Sequence, residues 1–435
     1  MTATRGPVAP RGDTAAVPAA AVPAATVERE LQGHGEPFSA DTDLAARWLG
    51  GSAIAASDDA FGDMENLVRS EPPAFEPGRY GTRGEIVDGW ESRRHRAPGN
   101  DWVIVRLGAA GTVSSVDIDT SFFTGNFPES ARLEATGGPG YTSFAELLRA
   151  DVEWVEIVPR SELRGDAHNV FSVSDQRRFT HVRLSIYPDG GVARLRVLGR
   201  IVPDPRLFDG LTIDLAALEN GGRVVASSDG FYTSAGSLIR PGRARTMGEG
   251  WETRRRRDEG HDYAVIHLAA ESMIRQLVVD TSHFKYNASE SVALYASDVE
   301  PVPSAESDRW WPILERTRLQ PDLRHFFAAS GNASARAIRL DAFPDGGIAR
   351  VEAAGSLAPA GRLELGLRWF NALPSREARA CLRAAGVSAP DSIAEARPLA
   401  RDWRDHVARL DGRRTASEKV RAALASLLEG ERPGS

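Results

Sequence analysis

The chain contains two copies of one pattern. "LGGSAIAASDD" (49–59) returns as "NGGRVVASSDG" (220–230), and "DGWESRRHR" (88–96) returns as "GEGWETRRRR" (248–257). "GNDWVIVRL" (99–107) matches "GHDYAVIHL" (260–268), and "VDIDTSFFTGN" (116–126) matches "LVVDTSHFKYN" (277–287). "RLSIYPDGGVARLRVLG" (183–199) matches "RLDAFPDGGIARVEAAG" (339–355). The offset shrinks from 171 to 161 to 156 residues, so the order is kept while loops shorten. A unit of roughly 150 residues is too long for a solenoid repeat and suits a whole domain. Any fold proposed for the chain must therefore work twice.

Each copy reads as short strands. In "DWVIVRL", Trp102, Ile104 and Arg106 fall on one face and Val103 and Val105 on the other. "VSSVDID" and "IRQLVVD" are β-branched runs that end in an acid followed by Thr-Ser. "YPDGGVARLRV" is a strand, a Pro-Asp-Gly-Gly turn and a second strand. Helical periodicity is scarce between residues 45 and 357, which indicates tandem antiparallel β-sandwiches of jelly-roll type. We place the first at 37–202 and the second at 203–360, with 203–219 as linker and short lead-in helix. Beyond about residue 362, "RLELGLRWFNALPSREARACLRAAG" and "TASEKVRAALASLLEG" carry apolar residues at helical spacing. Pro374, Ser375 and Glu377 mark a helix start there, so 361–435 is expected to be a helical tail. Residues 1–36, rich in Ala, Pro and Gly, read as a disordered leader.

Charge and composition exclude several functions. The formal net charge of −7 opposes a non-specific grip on nucleic acid. "AAVPAAAVPAATV" (15–27) is short and broken by Pro18 and Pro23, so no membrane span is expected. Cys381 is the only cysteine, which fits a reducing cytoplasm and no disulfide framework. Of the 53 basic residues only Lys285 and Lys419 are lysines. Arginine is the side chain that grips a carboxylate in a fork.

The polar residues written twice are Trp90/Trp251, Glu91/Glu252, Arg93/Arg254, Arg94/Arg255, Asp101/Asp262, Asp119/Asp280 and Asn126/Asn287. One reading makes them buried ion pairs that pin sandwich loops. The other makes them a site for a small planar anion: arginine holds a carboxylate, and an acid or imidazole moves protons. His261 with Asp262, and His283 with Asp280, can also form a His/Asp set that binds a divalent ion such as Mn. The sequence itself requires no cofactor, and "PDGG" reads as a turn rather than a site.

Taken together, "GWESRR", "GHDY", "DTSHF" and "GNFP", in two ordered copies, resemble the allantoicase (allantoate amidinohydrolase) family over about residues 37–360. The resemblance implies tandem jelly-roll domains of the galactose-binding-like class, a homo-oligomer, and cleavage of allantoate to ureidoglycolate and urea. The family's usual histidines are replaced in the first copy by Asn100 and Phe122. In the second copy His261 and His283 remain, while Tyr263 stands for Trp and "KYNAS" (285–289) for the usual Gly-Asn motif. The second copy is therefore expected to carry the chemistry. There Arg254 or Arg255 would hold the substrate carboxylate, and His261/Asp262 or His283/Asp280 would exchange protons. The alternative is a non-catalytic pair of sandwiches that binds a small ureide or sugar. In the tail, "RWFNALPSREARACLRAAG" (368–386) and "EARPLA" (395–400) resemble the start of a ureidoimidazoline decarboxylase. That family's catalytic His-Pro segment has no counterpart here, so decarboxylation is not expected.

Overall fold

The computed structural model describes residues 41–138, 142–387, 390–410 and 414–430, and the expected leader lies outside them. The first copy is built on one strand of 19 residues, β2 (Asp101–Asp119). Its first half pairs with β1 (Ser52–Ala56) and β6 (Arg178–Tyr187). Beyond β6 lie β3 (Ser130–Thr136) and then β4 (Val155–Glu162). Its second half pairs instead with β7 (Arg194–Ile201) and β5 (His168–Ser172), and Thr42–Asp43 closes the outer edge of β7. All these pairings are antiparallel. The two groups of strands are the two layers of a sandwich, and β2 belongs to both.

That double membership requires a bend. Nineteen extended residues would span about 60 Å, longer than a domain of this size. Opposite β6 the register slips: Phe179 faces Gly111, while His181 faces Arg106. At the bend, a Cβ on Gly111 would lie 2.2 Å from the Arg200 carbonyl oxygen, so only glycine fits. The fold places both ends of β2 together: Asp101 pairs next to the end of β6, and Asp119 pairs with Arg194 at the start of β7. Only residues 188–193 separate those two strands. The Pro-Asp-Gly-Gly segment thus turns as expected, but it crosses between layers instead of closing a hairpin. "DWVIVRL" and "VSSVDID", read above as separate strands, are the two arms of one.

Inside the bend sits a core of Val103, Val105, Val116, Ile118, Leu133, Val182, Leu184 and Val197, with the indole of Trp90 fully buried among them. The alternation of "DWVIVRL" places Val103 and Val105 inward as the sequence pattern requires, and Ile104 is buried on the opposite face.

The second copy repeats this plan. Its long strand β9 (Asp262–Asp280) pairs first with β8 (Arg223–Ser227) and β13 (Ala335–Phe343). It then pairs with β14 (Arg350–Leu357) and β12 (Arg324–Ala328). β10 (Ser291–Ser297) and β11 (Trp311–Arg318) extend the first layer, and Trp251 fills the core as Trp90 does. Between the copies the expected lead-in helix is two 3₁₀ turns, Pro205–Phe208 and Leu218–Asn220. Asp204 caps the first through the Arg206 N–H, and Gly221 at φ 99° ends the second, so neither turn can lengthen.

The tail forms α1 (Pro359–Ala372), α2 (Ser375–Ala384), α3 (Pro390–Glu395), α4 (Trp403–Leu410) and α5 (Arg414–Glu429). Its core includes Trp369, Phe370, Leu382, Trp403, Leu424 and Leu428, joined by Val202 from the first sandwich. Buried Arg362 on α1 donates to both carboxylate oxygens of Asp209, at 2.7 and 3.0 Å, and to the Leu428 carbonyl at 2.9 Å. That single guanidinium ties α1, the end of α5 and the inter-copy segment together.

Burial also makes the fold sensitive to acid. His181 on β6 is 3% exposed, its Nδ1 is bonded to the Thr180 hydroxyl, and burial, assisted by Arg106, lowers its pKa from 6.5 to about 4. Between those values the unfolded chain takes up a proton that the native state refuses. The contribution of His181 is therefore complete above pH 6.5 and is lost as pH falls toward 4, by roughly 3 kcal/mol. Buried Asp214, raised to about 6, acts in the opposite direction, so parent and variant must be compared at each pH. Urea unfolding of His181→Leu should show the stability gap between parent and variant changing by about 2–3 kcal/mol between pH 7 and 4.5. A gap independent of pH would refute the assignment.

Candidate functional site

Because the two ends of each long strand lie together, four loops converge there in each copy. In the first they are 57–62, 90–100, 120–127 and 188–193. The short strand Trp90–Glu91 pairs with Gly191–Val192, and Gly62 bridges to Glu91. Equivalent pairing joins Trp251–Glu252 to Gly347–Ile348.

Most of the repeated polar residues hold these loops in place. Trp90 donates its indole N–H to the Asp58 carbonyl at 2.8 Å, and Trp251 does the same to Asp229 at 2.9 Å. The carboxylate of Asp58 accepts the backbone N–H of Arg93 (2.9 Å), and that of Asp229 accepts the N–H of Arg254 (3.1 Å). Asp101 and Asp262 are buried and accept from Ser57 and Ser228. Asp119 and Asp280 accept the N–H groups of Ser121 and Ser282 two residues on, closing tight turns. Asp189 and Asp345, from the two Pro-Asp-Gly-Gly turns, accept the backbone N–H of His95 and Arg256. Two buried arginines that the sequence reading passed over complete the frame. Arg194 bonds the carbonyls of Glu71, Asp88 and Ala193, and Arg350 those of Gly242, Glu249 and Ala349.

A smaller set is left for chemistry. Asn126 donates to Glu91 at 2.7 Å and Asn287 to Glu252 at 2.6 Å, so each amide holds one oxygen of a half-buried carboxyl. Burial pushes the Glu91 carboxyl above the usual range, against the pull of Asn126. Arg94 and Arg255 are exposed and make no ion pair or hydrogen bond with another described residue. Arg93 lies against Asp58, while Arg254 packs 4.3 Å over the Phe231 ring with Asp229 at 3.8 Å.

The histidines do not form the expected dyads. His261 Nε2 lies 3.3 Å from Asp341, and its ring packs at a 32° tilt against Phe343, with centroids 4.6 Å apart. Its sequence neighbour Asp262 is held instead by Ser228 and by Arg256 at 2.8 Å. Adjacent strand residues point to opposite faces, which is why neighbours in sequence do not pair. His283 bonds through Nε2 to the Ala244 carbonyl at 3.0 Å, whereas Asp280 faces Arg324 and Arg243. His283 (φ 72°) and Phe122 (φ 69°) both occupy the left-handed region, so the strained turn survives the change of side chain. The imidazole that does pair with a predicted aspartate is His95, at 3.0 Å from Asp101. It stands within the repeated arginine row and aligns with Arg256, which contacts Asp262 in the same way. Among the described residues no three His, Cys, Asp or Glu side chains converge as a cation site.

The family model described as the Allantoicase repeat matches residues 42–202 and 213–358. The chain belongs to the allantoicase family. It is 47% identical over 322 residues to a probable allantoicase of Nocardia farcinica, covering 74% of this chain and 95% of that protein. With a probable allantoicase of Streptomyces avermitilis it shares 45% identity over 344 residues, 77% of this chain and 90% of that one. A Saccharomyces cerevisiae allantoicase crystal structure superposes with a TM-score of 0.62 at 31% identity, covering 77% of this chain and 98% of its own. The tandem sandwich is therefore the family's architecture, and the frame of bonds above is what this chain uses to build its two loop ends.

If Asp58 acts through the backbone rather than through an ion pair, two substitutions separate the roles. Asp58→Ala leaves the N–H groups of Ala60 and Arg93 without their acceptor and should cost about 1–3 kcal/mol in urea unfolding. Arg93→Met removes only the exposed ion pair with Asp58 and should cost less than about 1 kcal/mol. Equal costs would contradict the backbone role.

Proposed function

We propose that this protein hydrolyses allantoate to ureidoglycolate and urea in purine breakdown, and that the loop ends of the two sandwiches do it. The observation that carries the site assignment is the presence, in both copies, of an amide-held glutamate followed three positions later by an exposed arginine with no ion pair among the described residues. Allantoate is a carboxylate with two ureido arms on one carbon. Arg94 and Arg255 can take its carboxylate in a fork, since no carboxylate among the described residues pairs with them. Water then replaces one ureido arm: a C–O bond forms at the central carbon, the C–N bond breaks, and the departing nitrogen takes a proton. In the first copy Glu91, held toward its protonated form by burial, is suited to donate that proton, and His95 backed by Asp101 to accept the one from water. In the second copy Glu252 stands in the same place, with His261 and Asp341 as the imidazole–carboxylate pair. Asp101, Asp119, Asp262 and Asp280 act as supports, and Asn126 and Asn287 orient the glutamates. Trp90 and Trp251 position the loops from below.

Aromatic side chains left exposed at the second loop end, Phe231, Tyr232 and Tyr286, support self-association of the chain, which sedimentation would measure. No helix among the described residues is long and apolar enough to cross a membrane, and buried Cys381 is a free thiol, which supports a cytoplasmic location.

Purified protein incubated with allantoate, with and without Mn²⁺, should release urea and ureidoglycolate in equal amounts. Arg94→Met and Arg255→Met should raise KM. His95→Gln and Glu91→Gln should lower kcat by about 10²-fold or more, the scale of a lost acid or base. Activity that vanishes only with Glu252 and His261 would place the chemistry in the second copy. Failure to release either product under both conditions would overturn the proposal.

A further inference from the structure

At the other end of both sandwiches, away from the converging loops, lies a cleft of about 1240 Å³. Its walls come from all three parts of the chain. The first sandwich supplies Thr112 at the bend of β2 and Arg200 near the end of β7. The second supplies Arg223 at the start of β8 and His267 just before the bend of β9. The tail supplies Glu364 and Arg368 on α1.

Arginines outnumber carboxylates in this cleft: Glu300, Glu364 and Glu395 share its lining with seven guanidiniums. Arg223 makes no hydrogen bond and no ion pair among the described residues. Among the described residues Arg368 reaches only Glu364, at 3.4 Å, and that carboxylate is shared with Arg336 at 2.7 Å and Arg401 at 3.9 Å. Arg200 has Asp41 at 3.6 Å and is otherwise solvated. Burial, and then the fields of Arg200 and Arg368, hold the Arg223 guanidinium below its usual range. Guanidiniums from three parts of the fold thus face one concave space and repel each other across it. Arg223 is half-buried in the wall, while Arg200 and Arg368 reach the cleft from its exposed rim. Opposed forks with too few carboxylates suit a ligand that carries two negative charges on a few oxygens.

We propose that this cleft binds a small dianion, a phosphate or a dicarboxylate, between Arg223, Arg200 and Arg368, and that the ligand fastens the tail to both sandwiches. None of these residues belongs to the loop ends assigned to allantoate. The site therefore stands or falls separately from the hydrolase assignment.

The test uses the full chain and three titrants at equal ionic strength: inorganic phosphate, malonate and chloride. Calorimetry should show saturable binding of one phosphate or one malonate per chain, with a concentration-dependent rise in Tm that chloride does not produce. Arg223→Gln and Arg368→Gln should each weaken binding at least about tenfold, the loss of one charge-assisted hydrogen bond. Both variants should keep the parent's urea release and its Tm in chloride. A response to phosphate alone identifies a tetrahedral anion as the ligand, and a response to malonate alone a dicarboxylate. No saturable heat with either, equal affinity in the variants, or an equal shift with chloride would overturn the proposal. If a variant unfolds, Arg200→Gln, at an exposed side chain, provides the same comparison.

Discussion

The bend in the middle of each long strand is the constraint on which the rest of the molecule depends. A strand that joined only one layer would send its two ends to opposite poles of the sandwich. Because β2 and β9 cross from layer to layer, Asp101 and Asp119, eighteen positions apart, reach the same pole, as do Asp262 and Asp280. The crossover segments at 188–193 and 344–349 land there as well. The bend encloses the apolar core on its concave side and gathers the chain's polar loops at the open ends of its arms. At the closed end of the same bend, the two sandwiches and α1 meet around the basic cleft.

The arginine-rich composition is put to structural use at those loops. Arg194 and Arg350 are nearly fully buried, and each satisfies three backbone carbonyls. Orphaned carbonyls in irregular, buried loops are costly, and a planar group with five donors can satisfy several together. A lysine ammonium presents its donors from a single atom and could not span the same set. Arg362 does the equivalent work for the tail. Arg194 and Arg362 also meet a carboxylate, of Asp88 and Asp209 respectively, so one planar group serves carbonyls and a counter-charge together.

The strands, the duplication and the helical tail were legible because each leaves a period or a repeat in the sequence. "DWVIVRL" alternates because its two faces meet different surroundings, and α1 keeps apolar residues at helical spacing because one stripe packs on α5. The continuity of β2 was not legible, since "GAAGT" (108–112) looks like a break whether the chain turns or bends. Repetition singled out residues that the fold gathers at the loop ends, but not the bonds they make there. A carboxylate that caps a backbone N–H and one that meets a ligand are retained alike when a domain duplicates. The partner of His261, Asp341, lies 80 positions away on a strand that pairs with β9 only in the folded sheet, so no local spacing could have revealed it. His95 could have been found by asking which residue of the arginine row differs between the copies.

That difference gives the duplicated frame a property of its own. His95 over Asp101 and Arg256 over Asp262 occupy matching positions, held by matching backbone bonds from Asp189 and Asp345. An imidazole presents two ring nitrogens and a guanidinium five donors, so Arg256 reaches Asp258 as well as Asp262, while the His95 ring meets Asp101 alone among the described carboxylates. One duplicated frame carries two ways of anchoring the same buried carboxylate, and a single side chain decides between them.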